Sequence, residues 1–138
     1  MRLTSFTDYG LRLLMRLAAS PDRSLSTAEL AHGFGLSRNH VMKIVQHLAR
    51  AGIVDTRRGG GGGVRLARRP DALLLGELVR LLEEGQGLVE CLSPGGGACI
   101  IDGRCRLKAR LSRAEAAFIA DLNDSTLADI AMAGPTSF

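Results

Sequence analysis

Residues 28–48 read AELAHGFGLSRNHVMKIVQHL, and the reading of this stretch decides the fold. Just before it, Ser26 with Glu29 three residues later forms a capping box, which opens a helix running to about Phe34. Gly33 and Gly35 supply a tight turn. Ser37 caps a second helix, whose apolar Val41, Ile44, Val45 and Leu48 follow the 3.6-residue period and which Gly52 closes. Leu30 and Ala31 face the turn, Leu36 plugs the joint, and Val41 and Ile44 anchor the second helix to a core. That is the pattern of a helix-turn-helix. Ser37, Arg38, Asn39, His40 and Lys43 are left pointing outward. All are hydrogen-bonding side chains at the front of a helix, the part that enters a major groove. A solvated helix face in a small α domain carries a similar pattern, so the flanking sequence has to discriminate.

Upstream, residues 5–19 read as a helix with Leu11, Leu14, Met15 and Ala18 on its apolar side, stopped by Ser20-Pro21-Asp22. Downstream, two β-prone stretches, 53–56 and 64–66, are joined by five consecutive glycines, residues 59–63. Glycines that pack no side chain suit a hairpin tip where backbone comes close to another surface. Arg57, Arg58, Arg65, Arg68 and Arg69 flank them. A hairpin just after a recognition helix is a wing, and Arg58 and Arg65 with Gly60, Gly61 and Gly62 are placed to grip a minor groove or its phosphates. A flexible basic linker is the rival reading. The segment's place directly after a helix-turn-helix favours the wing. Residues 1–69 hold 12 basic and 4 acidic side chains, whereas residues 70–138 hold 6 and 10, which suggests one polyanion-facing surface. Sixteen of the 18 basic residues are Arg, whose planar fork matches phosphate and base edges. Double-stranded nucleic acid is the partner class this implies.

Pro70-Asp71 starts a predicted helix through Glu84, with Leu74, Leu75, Leu78, Leu81 and Leu82 on one side. Residues 86–103 lack regular pattern. From about Arg104 a long helix carries Leu107, Leu111, Ala114, Phe118 and Leu122 at near-heptad spacing, as expected of a helix pairing with a copy of itself, though packing on its own domain would show the same seam. Ser125 or Thr126 is placed to cap a last short helix through Met132. The expected architecture is therefore mainly α: a winged helix-turn-helix over 1–70, a linker helix and cysteine loop over 71–103, and a dimerisation helix with a short C-terminal helix over 104–138.

Cys91, Cys99 and Cys105 are the only cysteines, all within fifteen residues. Their odd number and clustering argue against a secreted disulfide framework and for a metal, cluster or redox site in a reducing cytoplasm. Structural zinc usually shows closely spaced Cys pairs, while iron-sulfur clusters accept irregular spacing. Spacing ranks an iron-sulfur site first, zinc second and a redox disulfide third. Arg104, Arg106, Lys108 and Arg110 crowd Cys105 beside a helix N-terminus, and both features favour thiolate. With 46% apolar and 23% charged residues the chain can bury a core, yet it holds no run of 18 apolar residues, so a membrane span is not expected, nor is a signal peptide. Outside the cysteine loop no plausible acid-base pair or nucleophile with a partner base stands out, so an enzyme is the weakest reading.

At this point a family resemblance can be stated. LTSFTDYGLR at 3–12, GLSRNHVMKI at 35–44, LARAG at 48–52, the glycine wing followed by Val64-Arg65-Leu66, the three cysteines, CRLK at 105–108 and STLADI at 125–130 occur in the order found in the bacterial winged-helix iron-sulfur transcriptional regulators. The chain resembles most closely their nitric-oxide-sensing NsrR-type branch. The resemblance implies a cytoplasmic homodimeric repressor that binds a palindromic operator. It also implies one 4Fe-4S cluster per subunit, a 2Fe-2S cluster being disfavoured, and release of the DNA when nitric oxide attacks it. In that branch the three cysteines are joined by an aspartate from the other subunit, and Asp8 occupies its place, with Arg12 one turn later near the cluster. A sister branch uses a histidine where this chain has Lys108. The Cys91-to-Cys99 interval instead matches the iron-responsive rhizobial regulators of the same family, so iron is the alternative signal. A zinc or thiol-redox binding module is the alternative outside the family. His32, His40 and His47 are expected in surface or DNA-facing roles.

Overall fold

The computed structural model describes residues 1–133, in five α-helices and one two-stranded sheet. Helix α1, Ser5–Ala18, is capped by Thr4, whose hydroxyl accepts the Thr7 N–H at 3.2 Å. The Thr4 amide and hydroxyl both donate to Glu83, at 2.7 and 2.9 Å, tying the start of α1 to the end of a helix eighty residues away. Helix α2, Thr27–Phe34, has the full capping box: Glu29 N–H donates to the Ser26 hydroxyl at 3.0 Å, and the Ser26 N–H donates to the Glu29 carboxylate at 2.7 Å. Those bonds from Ser26 hold the Glu29 carboxyl below the usual carboxylate range. Gly35 ends α2 at φ 63°, a left-handed conformation that glycine adopts without steric cost, and so turns the chain into α3, Arg38–Arg50.

Strands β1, Val54–Arg57, and β2, Gly63–Leu66, pair antiparallel, with Val54 opposite Leu66 and Arg57 opposite Gly63. Leu25 joins β2 through an isolated bridge, its N–H donating to the Val64 carbonyl at 2.9 Å and its carbonyl accepting the Val64 N–H at 2.7 Å. The wing is thus fixed to the segment that enters α2. The hydrophobic core runs through all of these elements: Leu13, Leu14, Leu30, Val41, Ile44, Leu48 and Leu127 are fully buried.

Two predicted helices form differently. Residues 70–84 are not one helix: Pro70–Ala72 makes a single 3-10 turn, Leu73 and Leu74 are extended, and α4 spans only Leu75–Leu82. The extended pair is bonded to the segment after the last helix, with Leu75 N–H donating to the Ser125 carbonyl and Leu127 N–H to the Leu73 carbonyl. A long-range bridge outcompetes local helix propensity here. For the same reason no short helix forms over 125–132. Thr126 instead folds a turn, its N–H and hydroxyl both donating to Asp129 at 2.6 and 2.8 Å, and this buries Leu127. The remainder of the predicted C-terminal unit, 134–138, lies outside the described residues.

Helix α5, Arg106–Leu122, begins with Cys105 as its cap. Only Ile119 on it is buried; of the predicted seam, Leu107 is 61% exposed, Ala114 is exposed, and Leu111, Phe118 and Leu122 are half-buried. Its contact with α4 is close. A Cβ on Gly76 would collide with the Ile119 carbonyl and with Asn123 Oδ1, which accepts the Glu77 N–H at 3.1 Å. Gly76→Ala should therefore cost about 1–3 kcal/mol by overpacking and lower the melting temperature by several degrees, whereas Gly60→Ala, with nothing within 4 Å, should leave it nearly unchanged. Thermal denaturation followed by circular dichroism reads the difference.

Candidate nucleic-acid interface and cysteine loop

On α3 the buried stripe is Val41, Ile44, Val45 and Leu48, so the opposite face carries Arg38, Asn39, Met42, Lys43, Gln46 and Arg50, all exposed. Ser37 caps the helix by accepting the His40 N–H at 3.2 Å, leaving its hydroxyl proton free to donate outward. Among the described residues, Arg38, Lys43, Arg57, Arg58 and Arg65 enter no ion pair, and all but the half-buried Arg65 are exposed. Gly60 and Gly61 are exposed at the wing tip and Gly62 is half-buried. Arg68 and Arg69 are engaged locally: Arg69 makes a bidentate pair with Asp71 at 3.0 and 2.6 Å, and Arg68 donates to the Ala72 carbonyl at 3.3 Å. Arg16 is buried among the core side chains, and that burial, then Arg23, lowers its pKa. The recognition helix and the wing thus present cations with no carboxylate partner among the described residues.

His40 is not simply outward-facing. Its ring meets Tyr9 of α1 edge to face, with centroids 5.4 Å apart and planes at 84°. Arg12 lies over the Tyr9 ring, its guanidinium carbon 5.7 Å from the centroid, and pairs with Asp8 at 2.9 Å. Asp8, Arg12, Tyr9 and His40 therefore form a continuous line of contacts from the start of α1 to the recognition helix. A second such contact lies beside it: Phe6 meets His47 edge to face at 5.6 Å, and His47 Nε2 bonds the Leu81 carbonyl at 2.9 Å. The sequence signal for both was the pairing of aromatics on one face of α1 with histidines on α3 seven residues apart, which only the helix crossing could join.

The cysteine loop leaves α4 at Glu83 and includes a 3-10 turn at Glu90–Leu92. All three cysteines are free thiols; Cys91 and Cys105 are half-buried and Cys99 is exposed. Cys91 and Cys99 line an open cavity of about 390 Å³ together with Glu90 and Gly97. Cys105 caps α5, its Sγ accepting the Lys108 N–H at 3.4 Å. The Lys108 ammonium bonds Asp102 at 2.9 Å, which raises its pKa, with smaller contributions from Cys91 and Cys105. Among the described residues no three His, Cys, Asp or Glu side chains gather closely enough to hold a metal ion, and Asp8 is paired with Arg12 rather than with a thiol. The donor chemistry nonetheless fits a thiophilic group: three free thiols on a glycine-rich, accessible loop.

A sequence profile of the Rrf2 family, described as iron-dependent transcriptional regulators, matches residues 3–133. Among solved structures, the chain is similar to CymR of B. subtilis, described as its global cysteine regulator. Identity is 27% and the TM-score 0.72, covering 95% of this chain and 96% of that one. It is also similar to CymR of Staphylococcus aureus, at 25% identity and TM-score 0.71 over 96% and 100%. IscR of T. potens shares the fold at 22% identity and TM-score 0.71 over 98% and 94%. The winged-helix DNA-binding fold expected from the sequence is the fold observed. No described helix is long and apolar enough to cross a membrane.

Replacing Tyr9 by Leu removes both the edge-to-face contact to His40 and the cation-π contact to Arg12. Tyr9→Leu should cost about 1 kcal/mol while Tyr9→Phe retains most of the stability. Urea denaturation of the two variants side by side tests this, and equal midpoints would show that the ring contacts contribute nothing.

Proposed function

We propose that this chain, which belongs to the Rrf2 family of iron-dependent transcriptional regulators, is a homodimeric repressor. In this reading it binds palindromic double-stranded operator DNA and carries one 4Fe-4S cluster per subunit that senses nitric oxide. The observation that carries this reading is the union in one chain of three free thiols on one loop with a recognition helix and wing whose Arg38, Lys43, Arg57, Arg58 and Arg65 enter no described ion pair. Ser37, Arg38, Asn39, His40 and Lys43 read base edges and adjacent phosphates in the major groove, and Arg58, Arg65 and Gly60, Gly61 and Gly62 meet the minor groove or its phosphates. The open apolar positions Leu107 and Ala114 on α5 support pairing with a second copy, which a two-fold operator requires.

Cys91, Cys99 and Cys105 would hold the cluster from one subunit and Asp8 of the partner subunit would complete the set, with Arg12 beside it. When bound, the cluster supplies an iron site that nitric oxide attacks. Asp8, which is paired with Arg12, would have to leave that ion pair to serve as the ligand. Arg12 in turn lies over Tyr9, and Tyr9 packs against His40 at the front of the recognition helix. A change at Asp8 thus has a physical route to the reading head through packed side chains. Iron limitation is the second reading of the signal, favoured by the family's description and by the long Cys91-to-Cys99 interval.

An anaerobic absorbance titration with nitric oxide, run beside operator binding at fixed salt, tests the signal. The expected result is brown absorbance that bleaches as operator binding falls, with Asp8→Ala altering the reaction. A protein indifferent to nitric oxide whose DNA is released by iron chelation alone would move the signal to iron. Arg38→Ala should weaken operator binding by about tenfold or more while leaving the absorbance spectrum unchanged. An unaltered binding curve at matched salt would remove Arg38 from the interface.

A further inference from the structure

Two separate hydrogen bonds meet at Lys108, a residue that holds no ligand role in the proposed cluster site. Its backbone N–H donates to Cys105 Sγ at 3.4 Å. Its ammonium donates to Asp102 Oδ1 at 2.9 Å, with the two side chains only 36% and 55% exposed. Asp102 in turn closes the turn that starts at Cys99, its N–H donating to the Cys99 carbonyl at 3.0 Å. Arg104 N–H continues the winding by donating to the Ile101 carbonyl at 3.1 Å. The Lys108–Asp102 ion pair therefore ties the turn that begins at Cys99 to the first turn of α5, where the Lys108 backbone holds Cys105.

We propose that Lys108 is the positioning residue of the cysteine set, closing residues 99–108 into one unit through its ion pair with Asp102. The inference rests on the reading that these thiols together hold a thiophilic group. Two consequences are physical. An exposed glycine-rich loop loses conformational entropy when three of its thiols converge, and a clasp across seven residues removes part of that cost before any ligand arrives. The clasp also holds the loop against the first turn of α5, where the Lys108 N–H meets Cys105 Sγ, so the last thiol is placed relative to the turn that starts at Cys99.

The test uses the reduced full-length chain under anaerobic conditions with Cd²⁺ alone as the probe, following thiolate-to-cadmium charge-transfer absorbance and competing with a chelator. The wild-type chain should bind one Cd²⁺ with a band of three-thiolate intensity. Lys108→Met and Asp102→Asn should each weaken binding by about tenfold, the scale of one charge-assisted contact. Lys108→Arg should recover to within about threefold, because a guanidinium reaches the same carboxylate and carries the same charge. Circular dichroism on each variant separates loss of the clasp from loss of fold, and Asp102→Asn, on an exposed loop, keeps the test available if a Lys108 variant misfolds. If Lys108→Met and Asp102→Asn bind Cd²⁺ as the wild type does, or if Lys108→Arg is as weak as Lys108→Met, the positioning role is overturned while the three-thiol site stands. If the wild-type chain shows no three-thiolate band, the shared thiol site and the clasp fall together.

Discussion

Burial of one face of α1 is the constraint on which the rest of the molecule depends. Leu13, Leu14 and Leu17 are fully buried on that helix, each stabilising the fold by about 1.5–3 kcal/mol relative to exposure. They pack against elements from the whole length of the chain, including Leu30, Leu48 and Leu127 in one core. Gly10 lets α4 approach: a Cβ there would sit 2.7 Å from Leu82 Cδ2. Thr4 binds Glu83 at one end of the helix, and Met132 N–H donates to the Met15 carbonyl near the other. A helix held along its length in this way can only shift as a body, and α3 rests on it through Tyr9 and Phe6. The proposed site residue Asp8 lies on the same helix, so the geometry of the reading head and the chemistry at Asp8 share one mechanical element.

Charge is divided in keeping with that mechanics. Acidic partners occupy Arg12, Arg23, Arg69, Arg80 and Lys108, whereas Arg38, Lys43, Arg57, Arg58 and Arg65 of the recognition helix and the wing enter no described ion pair. Exposed pairs of this kind contribute little stability, about 0–1 kcal/mol each. Their effect is on where positive potential remains. An arginine neutralised locally attracts a phosphate less, so the distribution of pairs shapes the surface facing DNA as much as the total charge does.

The sequence made the DNA-facing part legible because its signals are local. A capping box, a left-handed glycine, a 3.6-residue apolar period and a run of glycines between β-prone stretches each act within a few residues, and each stands where it was expected. The segment 70–84 and the segment 125–132 were misread for the opposite reason. Their backbone bonds go to each other across some fifty residues, Leu74 bridging Thr126, and no local pattern announces such a partner. The half-buried setting of His40 was missed likewise, since it depends on how α1 crosses α3.

For the cysteine loop the division is different. The chain's covalent order alone determined that three soft donors lie within fifteen residues on a segment too rich in glycine to serve as core, and that a cationic stretch follows the last of them. Which groups meet was decided only by the fold: Cys91 and Cys99 on one cavity, Cys105 capping α5, Asp102 returned to Lys108, and Asp8 held by Arg12. The physical reason is range. Residue type and spacing dictate turns, caps and periodicity through contacts a few bonds away, but the placement of one side chain beside another from a distant element is set by the packing of helices, which the whole core determines together.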